Sequence, residues 1–248
     1  MIEKNKKVVI IIPTYNESEN IGDLLNLIEG TTENIKDYDI SILIVDDNSP
    51  DGTSAIVKNL NKNNIFLLKR NSKRGLGSAY IDGFEYAINN LNAEIIFEMD
   101  GDFSHNPEDI EKFLREIENG YDLVIGSRYI EGGSIAGLEL HRRIISILGN
   151  LIARIVLKLN VRDCSSGYRA IKTSILRRID LDKINVKGYA FQVFLLYLIM
   201  KMNVNIKEIP IVFYKRRAGK SKFRFMDIFV DIWRVIISII KIKILCAF

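Results

Sequence analysis

The 248-residue sequence predicts an α/β protein built on a doubly wound, mostly parallel sheet. Three observations carry this. Short β-rich apolar runs alternate with amphipathic stretches through the first half of the chain, their spacing is that of βαβ units, and the loops after the strands are rich in carboxylates and amides. Right-handed crossovers gather such loops along one sheet edge, where open α/β sheets hold their ligands.

The elements follow in order. Residues 7–12 form the first strand, cut short by Pro13. Basic residues precede it, but Asn16-Glu17-Ser18-Glu19-Asn20 follows, so the N-terminus lacks a signal peptide's cleavage region. The pattern then predicts a helix over 17–29, a strand over 40–45, a helix over 53–60, a strand over 65–68, a helix over 76–91 and a strand over 95–99. Another strand, 122–125, leads into Gly126-Ser127-Arg128-Tyr129. After a break at Gly132-Gly133, a helical pattern over 142–159 places Ser146, Asn150, Arg154 and Lys158 four residues apart, which leaves a wide apolar face. Residues 225–245 repeat the design, with Asp227, Asp231, Arg234, Ser238 and Lys241 as a narrow polar stripe on a helix of Phe, Ile, Val and Trp233.

Bulk composition bounds the rest. With 48% hydrophobic and 27% charged residues the chain folds as a globular protein, and one domain with appendages is the simplest organisation. Two cysteines, Cys164 and Cys246, stand outside any CxxC spacing, which argues against a disulfide scaffold or structural zinc and for a reducing, cytoplasmic compartment. No run of ~20 apolar residues is free of charge, so a membrane span is not expected while surface association is. The net charge of +4 is small, and only its distribution carries meaning. Six basic residues in ten, from Lys215 to Arg224, form an anion-attracting segment. Its flanking Ile, Phe and Trp suit anionic lipid better than nucleic acid.

The chemistry concentrates in the loops. Asp100-Gly101-Asp102 follows a strand, and carboxylates two residues apart in extended chain face the same side, where they suit a hard cation such as Mg²⁺ or Mn²⁺. Asp46 and Asp47 end the second predicted strand. A carboxylate there can accept from base or ribose groups; alternatively Asp46 caps the turn while Asp51 caps the next helix, and one of Asp46 and Asp51 is expected to be structural. Lys73-Arg74-Gly75 is a phosphate-facing loop or a plain helix start. His105 is a site neighbour or a turn residue, and the cysteines pack rather than react.

Taken together, PTYNE, VDDNSPDGT, RGLGSA, MDGD, GSRY, HRRIIS, DCSSGYRA, GYAFQ and RRAGKSK resemble the family-2 glycosyltransferases of GT-A fold, and more narrowly the dolichyl-phosphate (polyprenyl-phosphate) mannosyltransferases. The resemblance runs from about Val8 to Phe223. It implies a GT-A domain over 1–223 that includes an interface helix at 142–159, with an amphipathic membrane-associated helix over 224–248. It implies that Pro13, Tyr15, Glu17, Val45 and Asp47 line the nucleotide pocket, that Asp100 and Asp102 hold the metal and diphosphate, and that Gly101 and Ser104 lie close to the donor. Arg128, Arg142, Arg216 and Lys222 match the basic positions around the donor and acceptor phosphates. The family's GYxFQxE pattern reads GYAFQVF here, with Phe194 at the acidic position. The implied activity is inverting transfer of mannose from GDP-mannose to dolichyl (polyprenyl) phosphate, at the cytoplasmic face of a membrane. Its nearest rival is a UDP-glucose-dependent polyprenyl-phosphate glucosyltransferase. A membrane-docked binding protein without turnover is the rival of another class.

Overall fold

In the computed structural model, which describes residues 5–184, 188, 190–218 and 237, strand β1 (Lys6–Thr14) buries Val8 through Ile12 without a break. A strand covered on both faces reads as a continuous apolar run rather than an alternation, and successive side chains go to opposite sides. Val9 and Ile11 enter one core cluster, while Val8, Ile10 and Ile12 enter the other. Strands and helices then alternate as the sequence predicts: α1 (Ile21–Thr32), β2 (Tyr38–Asp46), α2 (Thr53–Asn59), β3 (Ile65–Lys69), α3 (Leu76–Asn89) and β4 (Ile95–Glu98). Residues 17–20 are a turn rather than the start of α1, because the amides of Asn20 and Ile21 both donate to the Glu17 carbonyl.

The second half adds α4 (Ile110–Glu118), β5 (Leu123–Ser127), β6 (Ser134–Ala136), α5 (Leu140–Leu157), β7 (Arg169–Lys172), α6 (Thr173–Leu176), α7 (Ala190–Met200), β8 (Ile206–Pro210) and β9 (Val212–Tyr214). Seven strands form one sheet in the order β3-β2-β1-β4-β7-β5-β8. All neighbours are parallel except β7, which runs antiparallel to both β4 and β5. Helices cover both faces. Ile21, Leu24, Leu25 and Ile28 of α1 and Phe113 of α4 pack on one side; Tyr80 and Phe84 of α3 and Phe191 of α7 pack on the other, with the Tyr80 and Phe191 rings stacked at 6.0 Å.

Register decides what meets at the sheet edge. β1 pairs with β2 from Lys6↔Tyr38 to Thr14↔Asp46, and with β4 from Val8↔Ile95 to Ile11↔Glu98. The loops after β1, β2 and β4 therefore emerge side by side. Each contains a residue in the left-handed region: Asn16 (φ 59°), Asn48 (φ 60°) and Phe103 (φ 65°). Asparagine tolerates that conformation; for Phe103 it is strain, held in place by the surrounding loop. The small parallel pair β6–β9 closes over this edge, the Tyr214 amide donating to the Ser104 carbonyl and the Arg217 amide to the Asp102 carbonyl. Gly133 permits the turn into β6, since a Cβ there would lie 2.5 Å from the Ser127 carbonyl oxygen.

Helix α5 is turned inside out. Two of its polar positions face the protein: Asn150 is buried, its amide donating to Ser165 Oγ (3.0 Å) and its oxygen accepting from the Cys164 N–H (2.9 Å), while Tyr129 Oη donates to Ser146 Oγ (2.7 Å); Lys158 is exposed at the C-cap. Its apolar positions face outward, with Leu140 72% and Ile155 68% exposed and Ile144, Ile147, Leu148 and Leu151 exposed between them. Among the described residues no helix is long and apolar enough to cross a membrane. The predicted helix over 225–245 and Lys222 lie outside the described residues, apart from Ile237, which is helical and exposed.

Candidate active site

One cavity of about 810 Å³ opens where the loops converge. Pro13, Tyr15, Glu17, Asp47, Asp100, Gly101, Asp102, Ser104, Arg128, Arg142 and Arg216, all singled out from the sequence, line it. Val45 does not: its side chain is fully buried in the core, its Cγ2 packed where a Cβ on Gly83 would fall. It precedes Asp46, the last residue of β2, and a strand buried on both faces leaves it no route to the edge.

The two carboxylates of the Asp100-Gly101-Asp102 turn are set differently. Asp102 Oδ1 accepts from the Ser104 amide (3.1 Å), and its Oδ2 lies 3.2 Å from Arg216 Nη2, which also donates to Glu17 Oε1 at 2.7 Å. The Asp100 amide donates to His105 Nδ1 (3.1 Å), so His105 Nε2 carries the ring proton, 3.7 Å from Asp100 Oδ2. Burial holds the His105 pKa down at about 4, so the ring is neutral, stacked on Tyr168 at 4.7 Å. Burial, and then the charge of Asp102, push Asp100 up to about 8. Beneath them Glu98 is sealed from solvent and raised by burial to about 7, with Arg169 opposing.

These carboxylates suit a divalent cation. Two like charges share one part of the cavity wall, the Asp100 side chain 33% and that of Asp102 18% exposed, and a hard cation removes the repulsion between them. Two carboxylates supply only part of a coordination sphere, so an ion held by them would have positions left for substrate oxygens and water.

The end of the cavity beside β1 and β2 is more heavily braced than its sequence suggests. Asp46 is wholly structural, accepting from Thr14 Oγ1, the Ser49 amide and the Ser54 hydroxyl. Asp51 accepts from the Thr53 amide and hydroxyl at the start of α2, so both expected candidates are structural, not one. Asp47 lines the cavity while tying down the 73–75 loop: it accepts from Arg70 Nη1 (2.8 Å) and from the amides of Arg74 (2.9 Å) and Gly75 (2.8 Å). Lys73 stands over the Tyr15 ring at 3.7 Å, and Arg74 pairs with Asp82.

Arg128 comes with a partner that the sequence did not announce. Its Nε and Nη2 donate to the two oxygens of Asp163 (2.6 and 2.7 Å), its own amide donates to Asp163 Oδ2 (3.0 Å), and Nη2 also reaches Ser165 Oγ (2.9 Å). Asp163 is fully buried and, although burial opposes it, Arg128 holds its pKa below the usual carboxylate range. The cue was the spacing of Arg128 and DCSSGYRA, each on a loop beside β5 or β7, but no local pattern pairs them.

The cavity does not end at the aspartates. It continues past Arg142 along Ile145, Gly149, Ile152 and Val156 of α5, the helix that also carries the exposed Leu140, Ile144, Ile147, Leu148, Leu151 and Ile155. A glycosyl transferase family 2 model matches residues 9–180, more than half of the chain. The chain belongs to glycosyl transferase family 2. It is 35% identical over 224 residues to the polyprenol monophosphomannose synthase of Mycolicibacterium smegmatis, covering 89% of this chain and 82% of that protein. It is 39% identical over 218 residues to the undecaprenyl-phosphate mannosyltransferase of Micrococcus luteus, covering 87% of each. Solved structures with the same GT-A fold include mannosyl-3-phosphoglycerate synthase from Rubrobacter xylanophilus (TM-score 0.69, 14% identity, 93% of this chain and 72% of that one) and glucosyl-3-phosphoglycerate synthase from Mycobacterium tuberculosis with Mn²⁺, UDP-glucose and glycerol 3-phosphate (TM-score 0.68, 16% identity, 95% and 79%). This family 2 member thus combines a GT-A sheet, an aspartate pair at its edge and an outward apolar helix.

Proposed function

We propose that the chain transfers mannose from GDP-mannose to a polyprenyl phosphate of the dolichyl type, with inversion, as a divalent-cation-dependent enzyme bound to the cytoplasmic face of a membrane. The observation that carries this reading is the continuity of one cavity from Asp100 and Asp102 to the apolar helix α5. A polar donor and a lipid acceptor need such a passage: one end charged and buried, the other opening onto an apolar surface. The two mannosyltransferase relatives act, by their names, on polyprenol and undecaprenyl-phosphate acceptors, which supports the same acceptor class here. Residues 1–223 make up the catalytic domain in this reading, and 224–248, with Lys222 before them, a second interfacial segment.

No side-chain nucleophile is required. A phosphate monoester has a second pKa of roughly 6, so the acceptor is largely dianionic at neutral pH and attacks the anomeric carbon directly. The chain must position it and balance charge. Arg142, at the start of α5, meets the acceptor phosphate as it enters from the apolar side. Arg216, bridging Glu17 and Asp102, faces the donor diphosphate, and Arg128 is fixed by Asp163 so that its guanidinium keeps one orientation. Asp100 and Asp102 would hold Mg²⁺ or Mn²⁺, which when bound neutralises charge on the departing nucleoside diphosphate. A single displacement inverts the anomeric centre and gives a β-mannosyl phosphate.

The test is transfer of label from GDP-[¹⁴C]mannose into lipid with dolichyl phosphate and Mn²⁺, alongside UDP-glucose and the Asp102→Ala variant. Metal-dependent mannolipid formation that Asp102→Ala abolishes is expected. Label entering lipid from UDP-glucose alone would transfer the assignment to that donor, and no label from either would end it.

A further inference from the structure

Gln192 stands apart from the polar side chains around it. It lies in the first turn of α7, is 1% exposed, and lines the cavity. Its main-chain carbonyl is pinned by Arg169 Nη1 (2.9 Å), whose Nη2 holds the Cys164 carbonyl (2.9 Å), so its backbone is fixed by a buried arginine. Nε2 and Oε1 are both buried without a well-formed hydrogen bond; the nearest partner is the Glu98 carboxylate, itself buried and without another hydrogen bond among the described residues, which interacts with one end of the amide and leaves the other end open to the cavity. Neighbouring polar groups are committed elsewhere: Asp47 to the 73–75 loop, Arg128 to Asp163, Asn150 to Cys164 and Ser165.

A glycine makes room in front of this amide. A Cβ built on Gly167 would lie 3.7 Å from Asp100 Oδ1, 3.8 Å from His105 Cε1 and 3.9 Å from Gln192 Nε2, so these three groups surround a niche that any larger residue would enter. A buried amide left without partners costs free energy, and a cavity wall that keeps one needs a ligand to satisfy it. The ligand must hydrogen-bond the open end of the amide, be small enough for the niche, and sit beside Asp100. A sugar hydroxyl meets all three conditions, being donor and acceptor at one atom.

Resting on the sugar-nucleotide reading above, we infer that Gln192 hydrogen-bonds a hydroxyl of the transferred hexose in the niche left by Gly167, and so decides which hexose epimer the site accepts. A site built to pair with a hydroxyl discriminates against the epimer that presents it elsewhere, because the amide is then left unpaired.

The experiment is isothermal titration of the full chain with Mn²⁺ and no acceptor, using GDP-mannose, GDP-glucose and GDP, and UDP-glucose and UDP in parallel. Gln192→Met keeps length and packing but removes both polar atoms. Gly167→Ala fills the niche at ordinary contact distances and leaves Gln192 intact. Each is expected to weaken the preferred sugar nucleotide by about 5- to 10-fold, the loss of one hydroxyl contact. The parent diphosphate should keep its affinity within about two-fold, and the preference between mannose and glucose should narrow. If the variants weaken the diphosphate equally, or leave both the sugar-nucleotide affinity and the epimer preference unchanged, Gln192 is not the reader. If the unaltered chain binds no sugar nucleotide at all, the glycosyltransferase reading falls first and this inference falls with it.

Discussion

Replacing Asp163 tests how the site is held together. Its carboxylate takes two side-chain donors from Arg128 at 2.6 and 2.7 Å and the Arg128 amide at 3.0 Å, with Asp163 fully buried and the Arg128 side chain 12% exposed. Removing one member of such a pair strands a buried charge, at about 3–5 kcal/mol. Asp163→Asn keeps one acceptor oxygen and belongs at the low end, roughly 3 kcal/mol, which for a chain of this size lowers Tm by about 6–12 °C. Scanning calorimetry reads this directly. Sign follows from the depressed pKa of Asp163: its contribution is complete above the unfolded aspartate value of roughly 3.9 and is lost as pH falls through the lower folded value. The gap between parent and variant should therefore persist from pH 8 to about pH 5 and close in stronger acid. The double variant Arg128→Met with Asp163→Leu removes both charges and should regain most of the stability but none of the turnover. A Tm unchanged by Asp163→Asn, or turnover restored in the double variant, would refute the view that Asp163 exists to fix a working Arg128.

The remaining predictions address other parts of the site. Arg216→Ala removes the bridge between Glu17 and Asp102, and kcat in the mannolipid assay should fall by roughly 10²-fold, the effect of one oriented donor at developing charge. Burial and then Asp163 push the Cys164 thiol up to about 12, so maleimide at pH 8 should label no more than one of the chain's two cysteines before denaturation and both after it, counted by intact mass. Ile155 is 68% exposed on α5; burying a full isoleucine yields roughly 1.5–3 kcal/mol, so Ile155→Glu should forfeit about 1–2 kcal/mol and lower vesicle partitioning by about 5- to 30-fold in a flotation assay with anionic liposomes. Unchanged flotation would remove α5 from the membrane contact.

The parts legible in the sequence are those whose signal is local. VVIII reads as a fully covered strand, and Asp100-Gly101-Asp102 reads as a paired-carboxylate turn, because both depend on residues one or two apart. The illegible parts are pairings between distant segments. β7 has four residues, and its insertion antiparallel between β4 and β5 follows from register with strands over 40 residues upstream, which no window around Arg169 contains. Arg128 and Asp163 are separated by 35 positions, and Asp47 reaches a loop 27 and 28 residues ahead. Val45 fails for the opposite reason: its local pattern is clear, and it belongs to the core rather than the rim.

Helix α5 shows how one pattern supports two opposite packings. Polar residues spaced by four predict a stripe, and the same stripe would face solvent on an ordinary surface helix; in the structure Ser146 and Asn150 carry it inward, while Lys158 is exposed at the C-cap. Here the protein side supplies the partners, namely Ser165 Oγ and the Cys164 amide for Asn150 and Tyr129 Oη for Ser146, so the polar edge turns inward and the apolar arc outward. Each of those inward contacts also borders the cavity or the loop that carries Asp163, so the helix is locked to the Arg128 brace rather than loosely attached. An outward apolar helix fixed this rigidly to charged machinery couples the surface that meets the lipid to the groups that meet its phosphate. Disturbing Asn150 should therefore shift both membrane affinity and turnover, whereas disturbing Ile155 should shift membrane affinity alone when the acceptor is a short, soluble polyprenyl phosphate.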